Sequence, residues 1–168
     1  MKRLIMLLLR MSVFILTSCT SNEERKKKES LLDEYKVINS HSEVRVRDFI
    51  YRIVSEKQEY EHNEKVKIYG ELEYVGNEDK ITIYHASSPF YFNVEERTRH
   101  YSLEYFMNLP LVRTTIVKGK PLREEYREGG GAYGDDDPKD YVDFIKNISK
   151  TKRLPSGYYV LNGKADFY

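Results

Sequence analysis

The segment Val66-Lys67-Ile68-Tyr69-Gly70-Glu71-Leu72-Glu73-Tyr74 constrains the fold more than any other stretch of the chain. In an extended backbone, Val66, Ile68, Gly70, Leu72 and Tyr74 share one side, while Lys67, Tyr69, Glu71 and Glu73 share the other. A period of two held over this length describes a strand buried on one face only, the habit of antiparallel sheets. Such a strand needs hydrogen-bonded neighbours and a second layer over its apolar side.

The neighbours are legible on both sides. Val44-Arg45-Val46-Arg47 alternates, and Phe49-Ile50-Tyr51-Arg52-Ile53-Val54 is β-branched and aromatic. Residues 56–65 are polar and read as a loop. Gly76-Asn77-Glu78-Asp79 is a turn leading to Ile81-Thr82-Ile83-Tyr84-His85; after Ser87-Ser88-Pro89, Phe90, Phe92 and Val94 alternate again. Residues 95–110 fit two patterns. Tyr101, Leu103, Tyr105 and Met107 alternate as in a strand, whereas Thr98, Tyr101, Tyr105 and Leu109 suit a helix, and Pro110 ends either. Residues 111–117 and 122–126 read as strands around a turn at Lys118-Gly119-Lys120-Pro121.

One helix is predicted, over residues 138–149. Tyr141, Phe144, Ile145 and Ile148 recur at i, i+3, i+4 and i+7, with Pro138 in the first turn after a potential cap, Asp137. Asp140 and Asp143 near its start and Lys146 and Lys150 further on complement the helix dipole. The flexible segment before it carries Gly129-Gly130-Gly131, Gly134 and three successive aspartates. Past the helix, Tyr158-Tyr159-Val160-Leu161 and Lys164-Ala165-Asp166-Phe167-Tyr168 flank Asn162-Gly163. Asn-Gly between two β-like runs predicts a hairpin, because a type I′ turn needs positive φ at both central residues.

Short strands without repeating βα units predict a mainly β fold, an antiparallel β-sandwich with one short helix, over residues 43–168. The stretch Leu154-Pro155-Ser156-Gly157-Tyr158-Tyr159-Val160 resembles the Leu-Pro-x-Gly-x-Tyr-x-Val lead-in to a late strand of bacterial immunoglobulin-like domains. The strand at 66–74 with its Val75-Gly76-Asn77 turn sits where those domains place a core strand, so residues 43–168 are similar to the BsuPI-type proteinase-inhibitor domain of bacilli. The resemblance implies an immunoglobulin-like sandwich of the disulfide-free kind. It gives Tyr159 the role of a tyrosine corner, its hydroxyl bonding back to nearby backbone.

The N-terminal region carries a second resemblance. Met1-Lys2-Arg3 is a short basic segment, residues 4–16 are apolar except Arg10 and Ser12, and Leu16-Thr17-Ser18-Cys19 resembles the lipobox of bacterial lipoproteins. The apolar run is shorter than the roughly 20 residues of a spanning helix. The resemblance implies cleavage after residue 18, a lipid on Cys19, and a domain tethered by residues 19–42 to the outer face of the cytoplasmic membrane. The alternatives are an ordinary leader or an uncleaved signal anchor. Residues 20–29 are charged on both signs and cannot fold alone; they read as a solvated tether, or as a basic contact to anionic head groups through Arg25-Lys26-Lys27-Lys28. Residues 30–38 suit a short helix or a strand.

Charge and composition exclude several classes. Removing Lys2, Arg3 and Arg10 with the leader takes the 28 basic residues to 25 against 27 acidic, a net charge of −2. That balance argues against nucleic-acid binding, which needs a concentrated basic face. Cys19 is the single cysteine, so neither an internal disulfide nor a thiolate metal site is expected. His41, His62, His85 and His100 form no i, i+4 pair, and no serine stands in a Gly-x-Ser-x-Gly elbow. The acidic run Asp135-Asp136-Asp137 with Asp140 breaks the EF-hand pattern, since Lys139 and Asp140 fall where a ligand and the glycine belong. It would serve as a calcium site of another kind or as a solvated loop capping the helix.

The 15 tyrosines and seven phenylalanines serve core and strand packing for the most part, with a few free to form an exposed recognition surface. The expected function is therefore non-enzymatic and free of cofactors: a lipid-anchored module whose loops, residues 129–140 among them, meet an envelope protein or a wall component. The alternative is a proteinase inhibitor presenting residues 56–64 or 129–137. An enzyme built on scattered histidines and aspartates comes last.

Overall fold

Among the described residues, nine strands and a 13-residue helix are formed. The computed structural model describes Lys26 and residues 35–129 and 131–168. The lipobox, the leader and most of the tether lie outside the described residues. The strands are β1 (His41–Val46), β2 (Phe49–Ser55), β3 (Ile68–Tyr74), β4 (Lys80–His85), β5 (Phe90–Glu96), β6 (Tyr101–Leu103), β7 (Val112–Val117), β8 (Leu122–Glu125) and β9 (Tyr159–Ala165), with helix α1 at Lys139–Thr151 before β9. All pairings are antiparallel, giving sheets ordered β1-β2-β3-β8, β4-β7 and β6-β5-β9. The fold is a mainly β sandwich within one compact unit, Val37–Tyr168.

Period two decides which side chains meet between the layers. The four-stranded sheet sends inward Tyr51 from β2 and Gly70, Leu72 and Tyr74 from β3. Phe90, Phe92 and Val94 of β5 answer from the other layer, and Ile83 and Ile116 join from β4 and β7. Phe90 and Phe92 are fully buried, and each stabilises the fold by roughly 2–3 kcal/mol. The helix adds Phe144, Ile145 and Ile148, and Tyr141 meets Tyr101 edge to face at 5.0 Å between ring centres.

Two glycines let the layers approach closely. A Cβ at Gly70 would lie 2.9 Å from Phe90 Cδ1, and a Cβ at Gly163 would fall under 3.0 Å from both Tyr51 Oη and Ile53 Cδ1. This corrects the expected terminal hairpin. Asn162 and Gly163 sit in the middle of β9, opposite Asn93 and Phe92 of β5, and neither has a positive φ. The dipeptide signals a turn only when nothing else requires a glycine; here packing against β2 requires it. Asn162 is exposed, and its side chain donates to Glu95 Oε1 at 3.2 Å. Asn162→Val is therefore expected to change stability by no more than about 0.5 kcal/mol in either direction, as mid-strand surface positions do. Chemical denaturation checks this, and a loss of about 2 kcal/mol would speak for a turn.

The helix start is also corrected. Pro138, not Asp137, holds the cap position (φ −55°, ψ 138°), and no side chain caps the helix. The Asp137 carboxylate instead accepts the Gly134 N–H at 2.7 Å, closing the preceding turn. The helix ends two residues later than predicted, where Lys152 turns left-handed (φ 53°) and donates its N–H to Ile148 O at 2.8 Å.

Burial raises the pKa of six tyrosines. Loss of solvent pushes Tyr51 and Tyr101 up to about 12, and raises Tyr105, Tyr126, Tyr141 and Tyr159 as well. The folded state keeps these protons where the unfolded chain, with tyrosines near pKa 10, has lost them. Stability from this source is complete below pH about 10 and is lost as pH rises through the folded values. The expected result is a stability plateau to pH about 10, then loss of far-ultraviolet dichroism coincident with tyrosinate absorbance. Tyrosinate absorbance completed near pH 10 ahead of unfolding would contradict it.

Candidate interaction surface

Period two along β5 leads past Phe90, Phe92 and Val94 to Glu96, which places a carboxylate on the inner face. Glu96 is completely buried. Its Oε1 accepts the Thr98 N–H at 3.1 Å and its Oε2 the Arg99 N–H at 2.6 Å, while Arg99 Nη1 stands 3.2 Å from Oε1 as an ion pair without hydrogen-bond geometry. Arg99 Nη2 donates to Ser156 O at 3.0 Å, and the Tyr158 N–H to Thr98 Oγ1 at 2.9 Å. A Cβ at Gly157 would collide with Glu96 Oε1. Tyr159 closes the assembly, its hydroxyl donating to Pro155 O at 2.6 Å. The Leu154-Pro155-Ser156-Gly157 stretch is thus held by a buried acid that lies on the alternation of Phe90, Phe92 and Val94 and that motif reading passed over.

The titratable candidates disperse. His85 is buried, its Nδ1 2.7 Å from Ala86 O and its Nε2 2.8 Å from Thr114 Oγ1. The carbonyl can only accept, so Nδ1 donates to it, and Nε2 shares the second hydrogen bond with the threonine hydroxyl. Ser87 Oγ donates to Asn108 O and Ser88 Oγ to Glu124 Oε2, so neither serine bonds to His85. His62 lies 3.0 Å from Ser156 Oγ, and His41 and His100 are exposed on β1 and the β5–β6 turn. Asp135 and Asp136 face solvent, Asp137 is bound to Gly134, and Asp140 accepts the Tyr101 hydroxyl at 2.7 Å, which holds its pKa below the usual carboxylate range. Among the described residues no group of three or more His, Cys, Asp or Glu converges on a metal position. Asp137 and Asp140 are engaged separately, one in a turn and one in a contact at the start of α1.

No known family, curated protein or solved structure matches this chain. The surface must therefore speak for itself.

Among the described residues, an apolar exposed stretch is the irregular segment between β6 and β7. Tyr105 anchors it, packing edge-on to Phe92 and Tyr91 with ring centres 5.9 and 6.2 Å away. Phe106, Leu109 and Leu111 then stand 66%, 78% and 67% exposed. Asn108 O takes both the backbone N–H and the hydroxyl of Ser87, at 3.2 and 3.0 Å, which pins the segment beside the end of β4. At that same end Tyr84 and Tyr168 exchange backbone hydrogen bonds of 2.8 and 3.0 Å, and their rings stack 6.0 Å apart. Tyr84 and Tyr168 are themselves exposed. Residues 104–111 follow neither expected pattern, since β6 stops at Leu103. Phe106, off the alternation of Tyr101, Leu103, Tyr105 and Met107, was the available sign.

Both loops singled out in the sequence are braced. In residues 56–64, the Tyr60 hydroxyl accepts the N–H of Lys57 and Lys67, donates to Lys67 O at 2.9 Å and meets Ser55 Oγ. The Lys57–Glu64 ion pair at 2.5 Å closes that loop, raising the lysine and lowering the glutamate from their ordinary pKa values. The second loop is tied to α1 by the Tyr141 hydroxyl, which donates to Ala132 O at 3.1 Å, and Lys146 lies over the exposed ring of Tyr133.

Proposed function

We propose that this chain is a membrane-anchored, extracytoplasmic interaction module of the cell envelope, without catalytic activity, whose partner engages the Phe106-Leu109-Leu111 surface. The observation that carries the reading is three large apolar side chains exposed within six residues of one anchored segment, which is tied to the end of β4 near a stacked pair of exposed tyrosines. Contiguous exposed apolar surface is costly to keep in water and marks a site that is covered in use. Aromatic side chains of this kind are favoured at interface centres. The lipobox-like Leu16-Thr17-Ser18-Cys19 supports the location, with an acylated Cys19 as the anchor.

Site-specific photocrosslinking in intact cells tests the surface. A photoreactive residue at Phe106 or Leu109 is expected to give one discrete adduct that the same residue at exposed Lys118 does not give. No adduct, or equal adducts at all three positions, would remove the reading. The anchor is tested separately by intact mass and detergent partitioning of wild type and Cys19→Ala. A lipid mass on Cys19 with loss of residues 1–18 supports it, and identical behaviour of the two proteins excludes it.

A second reading, a proteinase inhibitor of the BsuPI-like kind, is favoured by the bracing of residues 56–64 around Tyr60. A rigid exposed loop binds a protease cleft at low entropic cost. Unchanged rates across a panel of extracellular proteases would dispose of it.

A further inference from the structure

Strand β1 is the outer strand of the four-stranded sheet, and all six of its residues are exposed. An open edge strand of this length is a template for another strand. We propose that two copies of this chain pair edge to edge through β1, antiparallel about Val44, so that their four-stranded sheets continue into one another.

The register follows from backbone parity and charge. The Ser55 N–H donates to Ser40 O at 2.7 Å, so in β1 the even-numbered residues bond to β2. The odd-numbered residues, Glu43 and Arg45 among them, direct their N–H and C=O groups out of the sheet. An incoming antiparallel copy must match odd with odd, which leaves three central registers. One sets Glu43 against Glu43, and another sets Arg45 against Arg45. The third, centred on Val44, places Glu43 of each copy opposite Arg45 of the other. The charges that would guard this edge against most partners therefore complement one another in a single self-pairing.

The apolar side agrees. Val44 and Val46 lie on the same face as the core residues Tyr51 and Phe49, opposite which they pair, yet they remain 51% and 61% exposed. In the register centred on Val44, Val44 meets its own copy at a non-hydrogen-bonded site, where side chains approach most closely, and the apolar layer continues across the junction. On the other face Arg52 already bridges Glu43 at 2.5 Å and Glu73 at 2.6 Å. The incoming Arg45 would extend that charge ladder. Among the described residues Arg45 has no ion-pair partner of its own.

Disulfide trapping of the full-length chain in mild detergent tests the register, with wild type as the control for Cys19. Val44→Cys is expected to form at least fivefold more oxidised dimer than wild type, since facing residues at such a site lie within disulfide range. Ser42→Cys and Val46→Cys should each stay at the wild-type level alone and crosslink only when mixed, because residue 42 of one copy faces 46 of the other. Adding Arg45→Glu to Val44→Cys should cut the yield at least fivefold. Mixing that protein with Glu43→Arg/Val44→Cys should restore it, because opposite charges face again. A Val44→Cys yield at the wild-type level, equal crosslinking by the three single cysteines, or indifference to Arg45→Glu would each overturn the proposal. Circular dichroism of every variant separates loss of pairing from loss of fold.

Discussion

Glu96→Ala is expected to lower the unfolding free energy of the full chain by about 3–5 kcal/mol, the cost of breaking a buried charged pair from one side. The magnitude follows from what the carboxylate leaves behind. The N–H groups of Thr98 and Arg99 lose their acceptor, and the Arg99 guanidinium keeps its charge against Phe144 at 5.3 Å with no counter-ion. Glu96→Gln preserves an acceptor oxygen and the side-chain volume but places an NH2 group toward donors, so a smaller loss of about 1–3 kcal/mol is expected. Because Arg99 and Thr98 hold Ser156 and Tyr158, hydrogen exchange should accelerate around residues 154–158 in both variants. Urea titration gives the energies. A loss under about 1 kcal/mol for Glu96→Ala would mean that water replaces the carboxylate and that the clamp does not hold the lead-in to β9.

Gly163→Ala is expected to cost about 1–3 kcal/mol, the range for overpacking a filled core. The backbone at Gly163 is not left-handed, so alanine fits it locally and would by itself stiffen the unfolded chain in favour of folding by about 0.4–1 kcal/mol. The new methyl instead meets Tyr51 Oη and Ile53 Cδ1, and this collision outweighs the entropic gain. Tyr51 offers an internal check. Its hydroxyl is buried without a hydrogen-bond partner among the described residues, so Tyr51→Phe alone should be neutral or slightly stabilising. Combined with Gly163→Ala it removes the nearer obstacle, and at least about 1 kcal/mol of the loss should return as a coupling energy. Additive effects of the two substitutions would show that Gly163 is required for some reason other than its approach to β2.

These two residues mark the boundary of sequence reading. Alternation located the strands because it is a local property: Val66 to Tyr74 shows its buried face whatever lies opposite, and the i, i+3, i+4, i+7 series from Tyr141 does the same for α1. Glu96 lay on the same alternation as Phe92 and Val94, but a carboxylate reads as solvent-facing until its donors are placed, and Arg99 and Gly157 are brought to it from different parts of the chain. Asn162-Gly163 misled for the opposite reason. A glycine that serves close packing and a glycine that serves a turn are the same letter, and only the neighbour across the sandwich distinguishes them.

The sequence by itself determined the class of fold, the helix that precedes the last strand, and which side of β3, β5 and α1 is buried, since hydrophobic periodicity follows from backbone geometry alone. Tertiary structure decided that β9 runs unbroken past Gly163, that Asp137 closes a turn instead of capping α1, and that Phe106, Leu109 and Leu111 stand in solvent. Each of those outcomes depends on contacts between residues far apart in the chain, and the energy of such a contact is written in neither partner separately.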